Sequence, residues 1–136
     1  MLDVIADDVV DHLRTLEITS CVDWLPELDL PETDQRRVIV GVQEMEGEPS
    51  ARGFDQEDHT IQIGVVVRLG KNPGSDAVRE ELNFVRSLRD AFKRIKLETS
   101  RGVLARWANR PVYDKERLRK DGLFVSVLQL TFRVFV

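Results

Sequence analysis

One cysteine, Cys21, is all the thiol chemistry that this chain of 136 residues offers. It excludes an intrachain disulfide and leaves too few sulfur ligands for a structural zinc site. A reducing cytosol suits it. Histidine is nearly as scarce: His12 and His59 are the two, and with Cys21 they make no recognised metal-ligand spacing. Each is expected to be an exposed side chain that caps or flanks an element. No segment approaches the ~20 apolar residues of a membrane span. Residues 1–8 carry acids where a secretory leader carries bases. The expectation is a protein that is cytoplasmic when made and has no membrane partner.

An excess of charge of one sign is also missing. Twenty bases stand against 24 acids, a formal net charge of −4. A protein that coats DNA or a membrane surface is expected to be strongly basic, so direct nucleic-acid binding is not the first expectation. Signatures of catalysis are absent too. There is no G-x-S-x-G, and nothing in the sequence pairs Cys21 with a base. Gly70-Lys71-Asn72-Pro73-Gly74-Ser75 opens a helix after a strand, but its lysine precedes the second glycine, which is the wrong order for a phosphate loop. With 24 acids, carboxylate pairs arise by chance. No catalytic, cofactor-binding or metal-binding residue is assigned, and the chain is not expected to be an enzyme.

What is present is a folded composition, 42% apolar and 32% charged. The length fits one domain over residues 1–136, able to bury about two thirds of its unfolded surface. Leu2, Ile5, Val9, Leu13 and Leu16 recur at helical spacing, with Asp3, Asp7, Asp8 and Asp11 off that stripe. Residues 19–34, with Trp24, Pro26 and Pro31, read as a loop packed by its own side chains or ordered against a neighbour. Alternation marks a strand at 36–43, with Val38, Val40 and Val42 on one face, and a second at 59–69, with Ile61, Ile63, Val65, Val67 and Leu69 inward. Between them residues 44–58, rich in Glu, Asp, Gly and Pro, have no period and read as a long, acidic hairpin arm without structure of its own. The arm does not match a calcium loop.

Ser75 or Asp76 can cap a second helix, whose stripe is Val78, Leu82, Val85, Leu88, Phe92 and Ile95 through about Leu97. A weaker strand is expected at 103–112 through Val103, Ala105 and Trp107, then a charged turn at 114–122. The last strand, 123–136, puts Phe124, Leu128, Leu130, Phe132, Val134 and Val136 on one face, with Ser126 as a small exception. So apolar a strand belongs inside a sheet, because a bare apolar edge invites aggregation. The fold class is α+β: a mixed, mainly antiparallel four-stranded sheet, two helices on one face, and the arm.

Arg86, Arg89, Lys93, Arg94 and Lys96 on the second helix, followed by Arg101, Arg106 and Arg110, make the middle of the chain locally basic. A solvated helix face with dipole complementarity is one explanation; a patch facing nucleic acid or an acidic subunit is the other. If the arm of one copy meets this helix on the next, both features have one cause in a head-to-tail interface, the kind that closes into rings. The candidate interface residues are Trp24, Glu46, Glu48, Arg52, Phe54, Asp55, Arg86, Arg89, Lys93 and Arg94.

The ordered features resemble a known group. A short helix through Ile5-Ala6-Asp7-Asp8-Val9-Val10, a strand, an acidic arm, the strand 59–69, a helix around Glu81-Leu82-Asn83-Phe84-Val85 and a closing Ser126-Val127-Leu128-Gln129-Leu130-Thr131-Phe132-Arg133-Val134 strand are laid out as in the small neck and tail-completion proteins of long-tailed phages, above all the tail terminator family. That resemblance implies a ring, usually of six copies, made in the host cytoplasm and carried in the virion tail. Such a ring caps the tail tube, stops polymerisation of the tube protein and offers a surface to head-side neck or connector proteins. It implies no cofactor. Residues 19–34 have no counterpart in that layout, which leaves open a head-closure or head-to-tail joining role. A small nucleic-acid-binding module using the same basic residues is the rival reading.

Overall fold

In the computed structural model of the chain the described residues are 2–22, 36–49, 55–70 and 72–135; for Leu2, residues 42–49 and Asp55 the backbone alone is described. The elements in order are helix α1 (Leu2–Thr15), strands β1 (Cys21–Val22), β2 (Arg37–Pro49) and β3 (Asp55–Arg68), helix α2 (Ser75–Asp90), strand β4 (Val103–Asn109), helix α3 (Lys115–Asp121) and strand β5 (Leu123–Phe135). The class is α+β, with five strands and three helices among the described residues instead of the four and two expected. The sheet order is β1-β2-β3-β5-β4; β1 runs parallel to β2 and the other pairings are antiparallel.

The two extra elements are short. β1 is a two-residue pairing, Cys21 with Ile39 and Val22 with Val40, inside the segment read as a loop. α3 is a seven-residue helix inside the segment read as a charged turn. Asp114 caps it by accepting from the backbone N–H groups of Glu116 and Arg117, each at 3.1 Å.

β5 lies inside the sheet, as its composition requires, between β3 and β4. Its even residues from Phe124 to Val134 are buried on one face. They meet Ile61, Ile63, Val65 and Val67 of β3, Val38 and Val40 of β2, Ile5, Val9 and Leu13 of α1, and Val85 and Leu88 of α2 in one core. Phe92 packs edge-on against Phe132, with ring centroids 5.8 Å apart. Ser126 is tolerated on this face because the Asn109 side-chain amide donates to its hydroxyl at 3.1 Å. On the other face Val66, Leu123 and Val125 form a second, smaller buried cluster.

Three polar links fix the helices to this frame. The buried carboxylate of Asp8 on α1 accepts from Thr99 N–H (3.2 Å) and Ser100 N–H (2.8 Å). His12 Nε2–H donates to the Ala91 carbonyl oxygen at 2.8 Å, tying α1 to the end of α2. Arg36 grips the buried Glu81 carboxylate through two bonds of 2.7 and 2.8 Å, and its guanidinium lies 3.8 Å from the Phe84 ring centroid.

Several local expectations need correction. Leu16 falls on the helical stripe but past the helix end, where Glu17 turns left-handed (φ 62°), and it is exposed. Neither Ser75 nor Asp76 caps α2: Gly74 is the capping residue and no side chain serves. In β4 the register slips between Leu104 and Arg106, so Trp107 pairs with Leu130, the register side of Leu104 and Phe132, and does not share a face with Val103. The arm is no structureless loop. β2 and β3 stay paired through Pro49 and Asp55, beyond a bulge between Val42 and Glu44, and β5 pairs with β3 as far as Gln56, so the described part of the segment, 44–49 and 55–58, is a paired ribbon that continues the sheet.

Gly122 makes a tight backbone approach. It ends α3 at φ 66°, and a Cβ there would lie 2.5 Å from the carbonyl carbon and oxygen of Gly70. Its own carbonyl accepts from Leu69 and Gly70 N–H at 2.8 and 3.2 Å. Gly122→Ala should therefore lower stability by more than the ~1–2 kcal/mol of a left-handed alanine, read as a drop in urea midpoint at unchanged slope. Gly74→Ala, where nothing lies within 4 Å, should cost less than about 1 kcal/mol. Equal effects at the two sites would refute the steric account.

Candidate functional site

The residues named above as an interface divide among three places. Trp24, Arg52 and Phe54 lie outside the described residues. Glu46, Glu48 and Asp55 have only their ladder positions described: Glu46 opposite Asp58, Glu48 opposite Gln56, and Asp55 opposite Pro49. The basic residues are the ones with described side chains. Arg86 and Arg89 are on α2, but the helix stops at Asp90, so Lys93 and Arg94 sit in the following turn, with Arg94 left-handed at φ 59°. The bases expected on the second helix thus lie on a helix end plus a turn.

These bases are organised around one acid and one aromatic. Asp90 pairs with Arg89 at 3.0 Å and with Lys93 at 3.2 Å. The hydrogen bond from Arg89, then that from Lys93, holds its carboxyl below the ordinary carboxylate value. The Arg89 guanidinium lies 4.5 Å from the ring centroid of Trp107 on β4, within the range of a cation–π contact. Trp107 is 44% exposed. Val103 and Val112, also exposed, flank it along the chain. Sequence reasoning placed Trp107 in a strand but missed its role here, because the contact joins α2 to β4 across the bulge at Ala105.

A second polar cluster ties the base of the ribbon to the sheet. Asp58 on β3 lies opposite Arg133 on β5 and accepts two bonds from its guanidinium, 3.0 and 3.2 Å, and one from Arg106 on β4 at 3.2 Å. The Arg133 bonds chiefly, then Arg106, hold the Asp58 carboxyl below its ordinary value against the opposing effect of burial. The arm's acids are therefore not all solvated. Glu57 accepts from His59 Nε2–H at 3.0 Å. His59 itself is fully buried, its Nδ1 without a partner, and is not the exposed flanking residue expected.

Among the described residues no group of three or more His, Cys, Asp or Glu side chains is placed to hold a metal ion, and no helix is long and apolar enough to cross a membrane. A groove of about 590 Å³ between α1 and residues 96–98 is lined by charges of both signs, Asp11 and Glu98 with Arg14 and Lys96. No protein-family model matches this sequence, and no curated protein is significantly similar to it.

The Asp58 cluster has a pH signature. Because the folded carboxyl titrates below its ordinary 3.8, its stabilisation is complete above about pH 4 and is lost as the pH falls through the folded value. Asp58→Asn should cost about 1–2 kcal/mol at pH 7 and should flatten the fall in stability below pH ~4. Urea titrations at pH 7 and pH 3 check both. An acid limb as steep as that of the parent protein would show that Asp58 carries none of it.

Proposed function

We propose that this protein is a structural subunit of virion assembly that works as a head-to-tail homo-oligomer. It is most readily a ring of the tail terminator kind that caps the tail tube and joins it to head-side neck proteins. Synthesis in the host cytoplasm and a final place in the virion tail belong to the same reading, as does the absence of catalysis. The observation that carries it is the presence of two segments of opposite charge. Residues 44–58, the segment that includes the ribbon, hold six acids and one base, a net of −5. Residues 86–110 hold eight bases and two acids, a net of +6, beside an exposed tryptophan. The ribbon extends β2 and β3, while β4 is at the far edge of the sheet beyond β5. Within one copy, among the described residues, the two segments touch at the base of the ribbon, where Asp58 accepts from Arg106; between copies the acids and bases farther out make a heterologous contact, which closes into rings when the rotation allows.

The head-closure or joining role uses the same chemistry with a different neighbour. The nucleic-acid reading draws on Arg89 over an exposed Trp107, a cation beside a stacking platform. Several neutralised phosphates would give it a steep salt dependence.

Light scattering across protein concentration tests the proposal. A discrete mass near six copies is the expected result for the terminator role. Arg89→Glu with Lys93→Glu should raise the concentration needed for assembly at least tenfold while cooperative unfolding is retained, since exposed charge mainly steers association. Unchanged assembly of the double variant would show that the basic surface is not the interface. Salt-sensitive retardation of DNA by a protein that stays monomeric would favour the rival.

A further inference from the structure

Resting on that reading, we infer that the contact between copies is main-chain β pairing: the outer edge of the ribbon, Glu44–Pro49 of β2, adds to the open edge of β4, Arg106–Asn109, in the next copy, with Trp107 as its anchor.

Among the described residues both edges have unshared main chain. β4 pairs with β5 on one side; on its other side, among the described residues, only Val103 is bridged, by Lys96. β2 pairs with β3 on one side; on its other side, among the described residues, only Ile39 and Val40 are paired, by β1. The two edges lie at opposite ends of the strand order, so one copy offers one of each.

β4 is also the wrong composition for an edge left in water. Natural edges are blunted by charge, proline or bulges. The bulge at Ala105 does this for the first half of β4, but beyond it the strand presents Trp107, 44% exposed, and Val112 follows at 49%. Tryptophan and arginine are the residue types that anchor interfaces, and here Arg89 already orders the ring.

The occupant is specified by charge. Glu44, Glu46 and Glu48 recur at every second residue of the ribbon edge, and Arg106 and Arg110 recur at even spacing along β4 and just past it. Strand neighbours of opposite charge are favourable and like charges opposed are not. The ribbon edge therefore fits the β4 edge and repels another ribbon. Arg106 is bonded to Asp58 and keeps 53% of its side chain exposed.

Disulfide trapping tests the inference. In a Cys21→Ser background, Glu44→Cys, Glu46→Cys and Glu48→Cys proteins are each mixed under oxidation with Ala108→Cys on β4, or with Ser87→Cys on α2. A disulfide forms only where Cα atoms approach within roughly 7 Å. Mass is read in parallel by light scattering, and Trp107→Ala is compared with the parent. Expected are an oligomer, a covalent dimer between a ribbon position and Ala108→Cys, slowed hydrogen exchange of Arg106–Asn109 amides in the oligomer, and at least tenfold weaker assembly of Trp107→Ala. An oligomer trapped through Ser87→Cys, or through neither, overturns edge pairing and leaves the assembly reading standing. A protein that remains monomeric at its highest soluble concentration overturns both.

Discussion

The ladder between β3 and β5 is the constraint on which the rest of this structure depends. It is thirteen residue pairs long, from Gln56 with Phe135 to Arg68 with Leu123. A one-residue slip would send Phe124, Leu128, Leu130 and Phe132 to the other face and bring Val125, Gln129, Thr131 and Arg133 into the core. Register is therefore set by the large difference between the two faces of β5. Every other element is positioned from it: α1 and α2 cover the large apolar face, and β4 takes the remaining side of β5. The same register brings Asp58 opposite Arg133, and Thr60 opposite Thr131 with a buried hydroxyl pair at 2.9 Å, on the second face.

Polar links then decide where the irregular segments go. Asp8 satisfies two backbone N–H groups of the turn at 98–100, so the chain leaving α2 is led back under α1 before β4 begins. Arg36 and Glu81 lock the entry to β2 against α2. Breaking either pair from one side leaves a buried group without its partner, which costs more than the pair contributes when intact. The Arg89–Trp107 contact belongs to the same set, since it fixes α2 relative to β4. It differs in lying at the surface, where its apolar part is still open to a further partner.

How much of this was legible in the sequence follows from what each signal measures. Alternation reports a face buried over several residues, so the cores of β2, β3 and β5 were readable, as was the interior position of β5. Helical spacing gave α1 and α2 through their buried stripes, though not their ends, because Leu16 and Phe92 keep the period after the helix has stopped. β1 is too short to show a period. The ribbon was misread because Glu, Gly and Pro are poor strand formers; its pairing is carried on from the β2–β3 ladder, and the bulge before Glu44 breaks the alternation there. The acidic and basic segments of the candidate interface could be named from charge alone. Trp107 could not, because its neighbour Arg89 lies 18 positions earlier, and only the slip at Ala105 sets the ring beside it.

The charges of the ribbon are not equivalent, and that bears on what holds the proposed contact together. Asp58, at the base, is neutralised within the chain by Arg133 and Arg106, and Glu57 accepts a hydrogen bond from His59. The acids farther out on β2, Glu44, Glu46 and Glu48, stand on a strand that pairs with β3, which from Gln56 onward pairs in turn with β5. Their field decays within about 8 Å at physiological salt, so it adds little to the strength of a contact already made. What it does is choose partners: ribbon against ribbon and basic surface against basic surface both oppose like charges, leaving head-to-tail as the favourable arrangement. Strength must then come from surface removed from water, and near β4 that surface is the ring of Trp107 under Arg89. In the proposed contact charge would set the order of the subunits, and the aromatic edge how long they stay.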